Sequence, residues 1–228
     1  MIHLQFSCTA ARHMIFGEGG DWRVKSLKAL GLVGLLTSGA SSAVMAQTGD
    51  LASVSSHLKS VSTMTATFSQ TDRAGKTVTG KMTLARPGRI RFQYEPSIPL
   101  LLVSDGKALT FIDYSVKQVQ RWPISSSPLA VLLDPDRDIA RYARIVPSGS
   151  AGTVVAEVRD PKRPEFGVIS LAFTREAGAP AGLRLLGWVA LDSQNNRTTI
   201  RLSDVRFNTA VSGEAFKWRD PRSKTRGR

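Results

Sequence analysis

With one cysteine and three histidines in 228 residues, nucleophilic and metal chemistry have few places to start in this chain. Cys8, His3 and His13 all precede Ala46, so His57 is the sole imidazole beyond that point. No Gly-x-Ser-x-Gly elbow supplies a positioned serine. The run Asp134-Pro-Asp136-Arg-Asp138 begins like a calcium loop. However, Ile139 stands at position six, where glycine is needed, and Ile145 at position twelve, where glutamate is needed. It reads as a solvated acidic loop. His57, next to Ser55 and Ser56 on a helical pattern, reads as a surface residue and not a ligand. Asn196-Arg197-Thr198 fits a glycosylation acceptor, a match of three residues and too short to carry weight. No catalytic residue, metal site or cofactor is expected, and the chain reads as a non-enzyme.

The residues that could do work are apolar. Met64, Phe68, Met82, Leu84, Ile90, Phe92 and Tyr94, with Leu129 and Leu132 further on, combine thioethers, aromatics and aliphatics into an adaptable greasy wall. Their plain alternative is an ordinary core. Which reading holds depends on the elements that carry them.

Asp50 can cap a helix whose Leu51, Val54, Leu58 and Val61 share one face, running to about Ser62. From Thr63 the period changes to two. Met64, Ala66 and Phe68 alternate with threonine and serine, and Val78, Met82 and Leu84 continue the inward face after the turn at Ala74-Gly75-Lys76. Pro87-Gly88 makes a corner, after which Ile90, Phe92 and Tyr94 alternate with Arg89, Arg91 and Gln93. Asp105-Gly106 is a strong hairpin signal between Leu100–Ser104 and Lys107–Tyr114. Ser115–Trp122 forms a weaker sixth strand. Ser125 to Ser127 followed by Pro128 start a short apolar helix through Leu129, Val131, Leu132 and Leu133. Five more strands follow at Arg144–Val146, Thr153–Arg159, Val168–Arg175, Leu183–Leu191 and Thr198–Phe207. Eleven short sequential strands must curl around a shared interior or leave a wide apolar face wet. The expected fold is therefore mainly β with some α: an unclosed antiparallel β-barrel covered by short helices.

Three stretches divide the chain. Residues 1–46 read as a cleavable signal peptide, with Arg23, Lys25 and Lys28 before an apolar run ending Ser-Ser-Ala-Val-Met-Ala, and cleavage expected after Ala46. Residues 47–217 form one domain, and 218–228 a basic, disordered tail. With Cys8 in the leader the remainder is free of thiols, compatible with an oxidising compartment. The formal charge is +13; four basic and two acidic residues lie in 1–46, which leaves +11 on the rest. That field favours anionic partners. An exported destination and the absence of any nucleic-acid signature point away from nucleic acid.

The opening helix, Phe68-Ser69-Gln70, Gly80–Leu84, Arg86-Pro87, Val103-Ser104-Asp105-Gly106-Lys107, the aromatic strand Phe111–Tyr114 and the short helix near Leu132 together resemble the outer-membrane lipoprotein carrier family, LolA. The resemblance is good over residues 50 to 135; beyond them strand order and spacing agree. It implies a periplasmic, monomeric carrier that takes acylated lipoproteins from an inner-membrane lipoprotein-releasing ABC transporter. It would pass them to an outer-membrane lipoprotein receptor, holding the acyl chains in an apolar cavity. The family's Arg-Pro arginine bonds the covering helices and keeps the empty form shut, which makes Arg86 the expected lid-gating residue. Where the family commonly has an aromatic a few residues on, this chain has Ile90, with Phe92 next on the same face. The rival readings are a lipid-binding sensor or adaptor, expected to need a second domain after Phe207, and a carrier of free phospholipid-like lipids.

Overall fold

A computed structural model describes residues 40–134, 139–162, 164, 167–191 and 196–222. Helix α1 (Ala40–Ser60) leads into β1 (Thr63–Thr71), β2 (Thr77–Ala85), β3 (Arg89–Tyr94), β4 (Leu100–Ser104), β5 (Ala108–Asp113) and β6 (Gln118–Pro123). The single-turn helix α2 (Ala130–Leu133) separates these from β7 (Ala143–Val146), β8 (Thr153–Arg159), β9 (Val168–Arg175), β10 (Leu183–Leu191) and β11 (Arg197–Phe207). The leader reading falls on residues 1–39, outside the described ones, and on the first residues of α1. Cleavage after Ala46 would leave Gln47 as the first residue of that helix. Among the described residues no helix is long and apolar enough to cross a membrane.

All eleven strands join one antiparallel sheet in the order β6-β5-β4-β3-β2-β1-β11-β10-β9-β8-β7. Every neighbour is sequential except β1 and β11, whose pairing stitches two meanders into one curved wall, with Phe68 opposite Leu202 and Gln70 opposite Ile200. β6 and β7 stay unpaired with each other, so the barrel is open, as the strand pattern predicts. The hairpin turns use carboxylates as local acceptors. Asp72 takes the N–H groups of Ala74 and Lys76, and Asp105 those of Lys107 and Ala108, all at 2.9 Å.

The expected alternation holds. Met64, Ala66 and Phe68 of β1 are buried between half-exposed neighbours, and Met82, Leu84, Ile90, Phe92 and Tyr94 continue the same concave face. α1 contributes Val54 and Leu58 to that core, Val61 follows just past its end, and α2 contributes Ala130 to Leu133. In β10 the register slips between Leu185 and Gly187. Gly187, at φ +145°, lets β11 approach so closely that a Cβ would stand 2.0 Å from the Ile200 carbonyl oxygen.

A second, smaller core lies on the convex side. β4 and β5 are buried on both faces, and Ala85, Leu101, Val103 and Ile112 pack beneath Phe216 of the turn Gly213–Phe216. Arg91 holds this segment by donating from Nη1 to the carbonyls of Ala215 (3.3 Å) and Lys217 (2.9 Å), and the Arg89 guanidinium lies 5.2 Å from the centre of the Phe216 ring. Trp218, read from sequence as the first residue of a free tail, packs against the same cluster. Residues 223–228 of that tail lie outside the described ones.

Candidate functional site: a roofed apolar hollow

The concave face is not filled to its end. Near the ends of β1, β3 and β10 and the start of β11, a half-open hollow of about 60 Å³ remains. Its walls are Phe92, Tyr94, Leu102 and Phe111 from the first meander and Ile169, Trp188, Ala190, Thr198 and Ile200 from the second. Trp122, Pro128 and Leu129 stand at the rim with Gln70. Among the described residues no charged side chain lines it. Trp188, Phe92, Phe68 and Tyr94 form a chain of edge-to-face rings with centroids 5.2 to 6.2 Å apart, linking the hollow to the packed interior.

Of the expected cavity residues, Phe92, Tyr94 and Leu129 border the hollow. Met64, Phe68, Met82, Leu84, Ile90 and Leu132 belong to the contiguous core instead, in one cluster with side chains of α1 and α2. The helical cover fills that part of the concave face, so those six side chains meet protein and not open space. The second-meander wall was missed from sequence. Trp188 and Ala190 share a face, and so do Thr198 and Ile200, but only the long-range β1–β11 pairing places them opposite Phe92 and Tyr94.

The roof is stitched to the Arg86-Pro87-Gly88 corner. The last carbonyls of a helix lack partners within it. Here Arg86 Nε donates to the Leu132 carbonyl at 2.8 Å and the Gly88 N–H to the Leu133 carbonyl at 2.9 Å. Gly88, at φ +72°, could not carry a side chain, since its Cβ would fall 2.6 Å from the Gly106 carbonyl oxygen. The Arg86 main-chain N–H donates to the Ser62 carbonyl at 2.8 Å, in the link between α1 and β1. Among the described residues its side chain bonds the α2 end alone, whereas the family resemblance implies both helices. Loss of solvent brings the Arg86 guanidinium down to about 10, partly offset by attraction to Asp134, and Nη1 is buried without a hydrogen-bond partner among the described residues. The group is still cationic at neutral pH, so the roof rests on a half-satisfied charge.

His57 is not a surface residue. It is 2% exposed, with Phe173 and Phe207 edge-on at 5.1 and 5.3 Å, and Nδ1 lies 2.9 Å from the Pro180 carbonyl oxygen. A carbonyl only accepts, so Nδ1 carries the proton. The missed signal is spacing: Val54, His57, Leu58 and Val61 form one inward stripe despite the neighbouring serines. Burial, with a smaller contribution from the Arg86 charge, holds the imidazole below its ordinary value. The unfolded chain then binds a proton more readily than the folded one, so stability present above pH about 6.5 drains away as pH falls. Melting temperatures at pH 7.5 and pH 5 should differ more for the parent than for His57→Asn; equal differences would show that His57 does not carry this dependence.

Both ends of the Asn196-Arg197-Thr198 triplet are buried. Asp136 and Asp138 lie outside the described residues, and among those described no His, Cys, Asp and Glu group could hold a metal.

A family model described as outer membrane lipoprotein carrier protein LolA matches residues 59–219. The chain belongs to that family. The outer-membrane lipoprotein carrier proteins of Chromobacterium violaceum and Nitrosospira multiformis are similar to it, at 29% identity over 189 residues and 30% over 183. These alignments cover 79% and 75% of this chain and 88% and 84% of the relatives. A solved LolA superfamily protein from Nitrosomonas europaea aligns with TM-score 0.43 and 11% identity, over 75% of this chain and 97% of that one. The LolA match spans the strands of the first meander, the Arg86 corner and the hollow's second wall alike.

Proposed function

We propose that this chain is a periplasmic, non-enzymatic carrier that binds the acyl chains of lipoproteins in the hollow. It receives them from an inner-membrane lipoprotein-releasing ABC transporter and delivers them to an outer-membrane lipoprotein receptor, acting as a monomer. The observation that carries this reading is a hollow lined, among the described residues, by uncharged side chains, whose roof is tied down by side-chain and main-chain bonds at one corner.

The physics asks for such a device. A triacylated anchor has on the order of 45 methylenes, and at about 0.8 kcal/mol each their exposure to water would cost roughly 36 kcal/mol. No thermal step supplies that, so the chains must pass from bilayer to pocket at nearly equal free energy. Loose, non-directional contacts with aromatic and aliphatic walls suit that exchange better than a tight fit. A hollow of about 60 Å³ is well under half the roughly 150 Å³ that admits benzene, so an acyl chain enters only if the roof lifts. The Arg86 corner is where that motion would be governed.

A carrier of free phospholipid-like lipids, or a lipid-binding sensor or adaptor, would use the same hollow. Native mass spectrometry of the protein purified from periplasm separates these readings. A bound lipoprotein is expected; free phospholipid alone would move the reading to the second class, and protein that leaves empty under lipoprotein overproduction would overturn the carrier.

A further inference from the structure

Thr198 is 4% exposed, lines the apolar hollow, and its Oγ1 is buried with no hydrogen-bond partner among the described residues. Buried hydroxyls are normally satisfied, so one left open beside a cavity calls for an account. β1 and β11 place a second polar group near it. Gln70 lies opposite Ile200, two residues along the same inward face of β11 from Thr198. Gln70 is not free to turn: its Oε1 accepts from the Tyr94 hydroxyl at 2.8 Å. Burial holds Tyr94 protonated, which keeps it the donor in that pair. The Gln70 amide nitrogen is left with two N–H groups to offer. Bordering a greasy pocket, then, are a hydroxyl and an amide nitrogen that can both donate, and among the described residues the lining holds no cation or carboxylate.

We propose that Thr198 and Gln70 form a polar subsite that takes the neutral carbonyl at the root of an acyl chain, an ester or amide linkage, while the chain itself runs into the hollow. The inference rests on the carrier reading above and adds what the hollow recognises besides hydrocarbon. An ionised carboxylate or phosphate would be stripped of water there without a countercharge, a costly outcome. A sugar head group brings several hydroxyl donors at once, more than Thr198 Oγ1 and the remaining lone pair of Gln70 Oε1 can accept. A carbonyl only accepts, and both groups donate.

Competition against a fluorescent fatty-chain probe tests this with two matched pairs: a diacylglyceryl lipopeptide and its dialkyl-ether analogue, and phosphatidylglycerol and its ether analogue. The parent protein should prefer ester over ether by about fivefold in at least one pair, the worth of one net hydrogen bond. The pair that shows the preference identifies the source of the linkage. In Thr198→Val the ester-to-ether ratio should fall to about one, and Thr198→Ser should restore it. Thr198→Val should melt no lower than the parent, because it removes an unpaired hydroxyl; a structural hydroxyl would show the opposite. Equal affinity for ester and ether in both pairs overturns the subsite while leaving the carrier intact, as does an undiminished ratio in Thr198→Val. Failure of every lipid to displace the probe overturns the carrier reading and the subsite with it.

Discussion

Arg86→Leu should bind lipid probes more tightly than the parent and surrender them more slowly to an acceptor membrane or receptor. In the closed form Arg86 Nε serves the Leu132 carbonyl at the end of α2. Leucine supplies no donor, so closing the roof would bury that carbonyl unpaired, whereas opening lets water reach it. A hydrogen bond from a charged group contributes about 1.5–3 kcal/mol, which changes the closed-to-open ratio by roughly 10- to 150-fold. Apparent affinity scales with the open fraction, so it should rise by up to that factor until the roof is open most of the time. Release should slow correspondingly, since closure would no longer help expel the chain. Arg86→Lys restores a charge but not the Nε–H geometry, and should fall between the two. Probe affinity and transfer rate measured together are the check. Equal values for Arg86→Leu and parent would remove Arg86 from gating. Global stability is a poor proxy here, because the substitution also removes a buried charge with one nitrogen unsatisfied.

The strands were legible because each is short, alternates, and stops at a residue with a local reason to stop. Asp105-Gly106 and Asp72 to Lys76 turn the chain through contacts within a few residues of themselves. The short helix was legible for the same reason: the Ser127 hydroxyl accepts the Leu129 N–H, a contact two residues long. What stayed hidden depends on partners far along the chain. The hollow's second wall exists because β1 pairs with β11, far along the chain, and no local pattern states that register. His57 was misplaced because its serine neighbours outweighed its position in the helical stripe, while the rings that enclose it come from β9 and β11. Trp218 looked like the start of a charged tail, yet the unbroken apolar run from Leu100 to Val103 already required something to cover the far side of β4. A strand apolar on both faces signals a covering element without naming it.

The distinction between core and cargo site makes the second large prediction one in which stability and function part company. Ala190 is buried on β10, faces Ile169 across the β9 pairing and Thr198 across the β11 pairing, and borders the hollow. Ala190→Leu would project three added carbons into the vacancy. Cavity volume costs about 24 cal/mol per Å³, so filling much of the 60 Å³ should raise stability by roughly 1 kcal/mol if the leucine finds an unstrained rotamer. The same side chain would occupy the space that an acyl chain must enter and would compete with it even when the roof is lifted. Binding of a fatty-chain probe should fall by at least tenfold while the melting temperature holds or rises. An ordinary core residue cannot behave this way: overpacking a filled interior lowers stability. Were Ala190→Leu to destabilise the protein and leave probe binding intact, the hollow would be a packing defect, and hydrocarbon would have to be held elsewhere on the concave face.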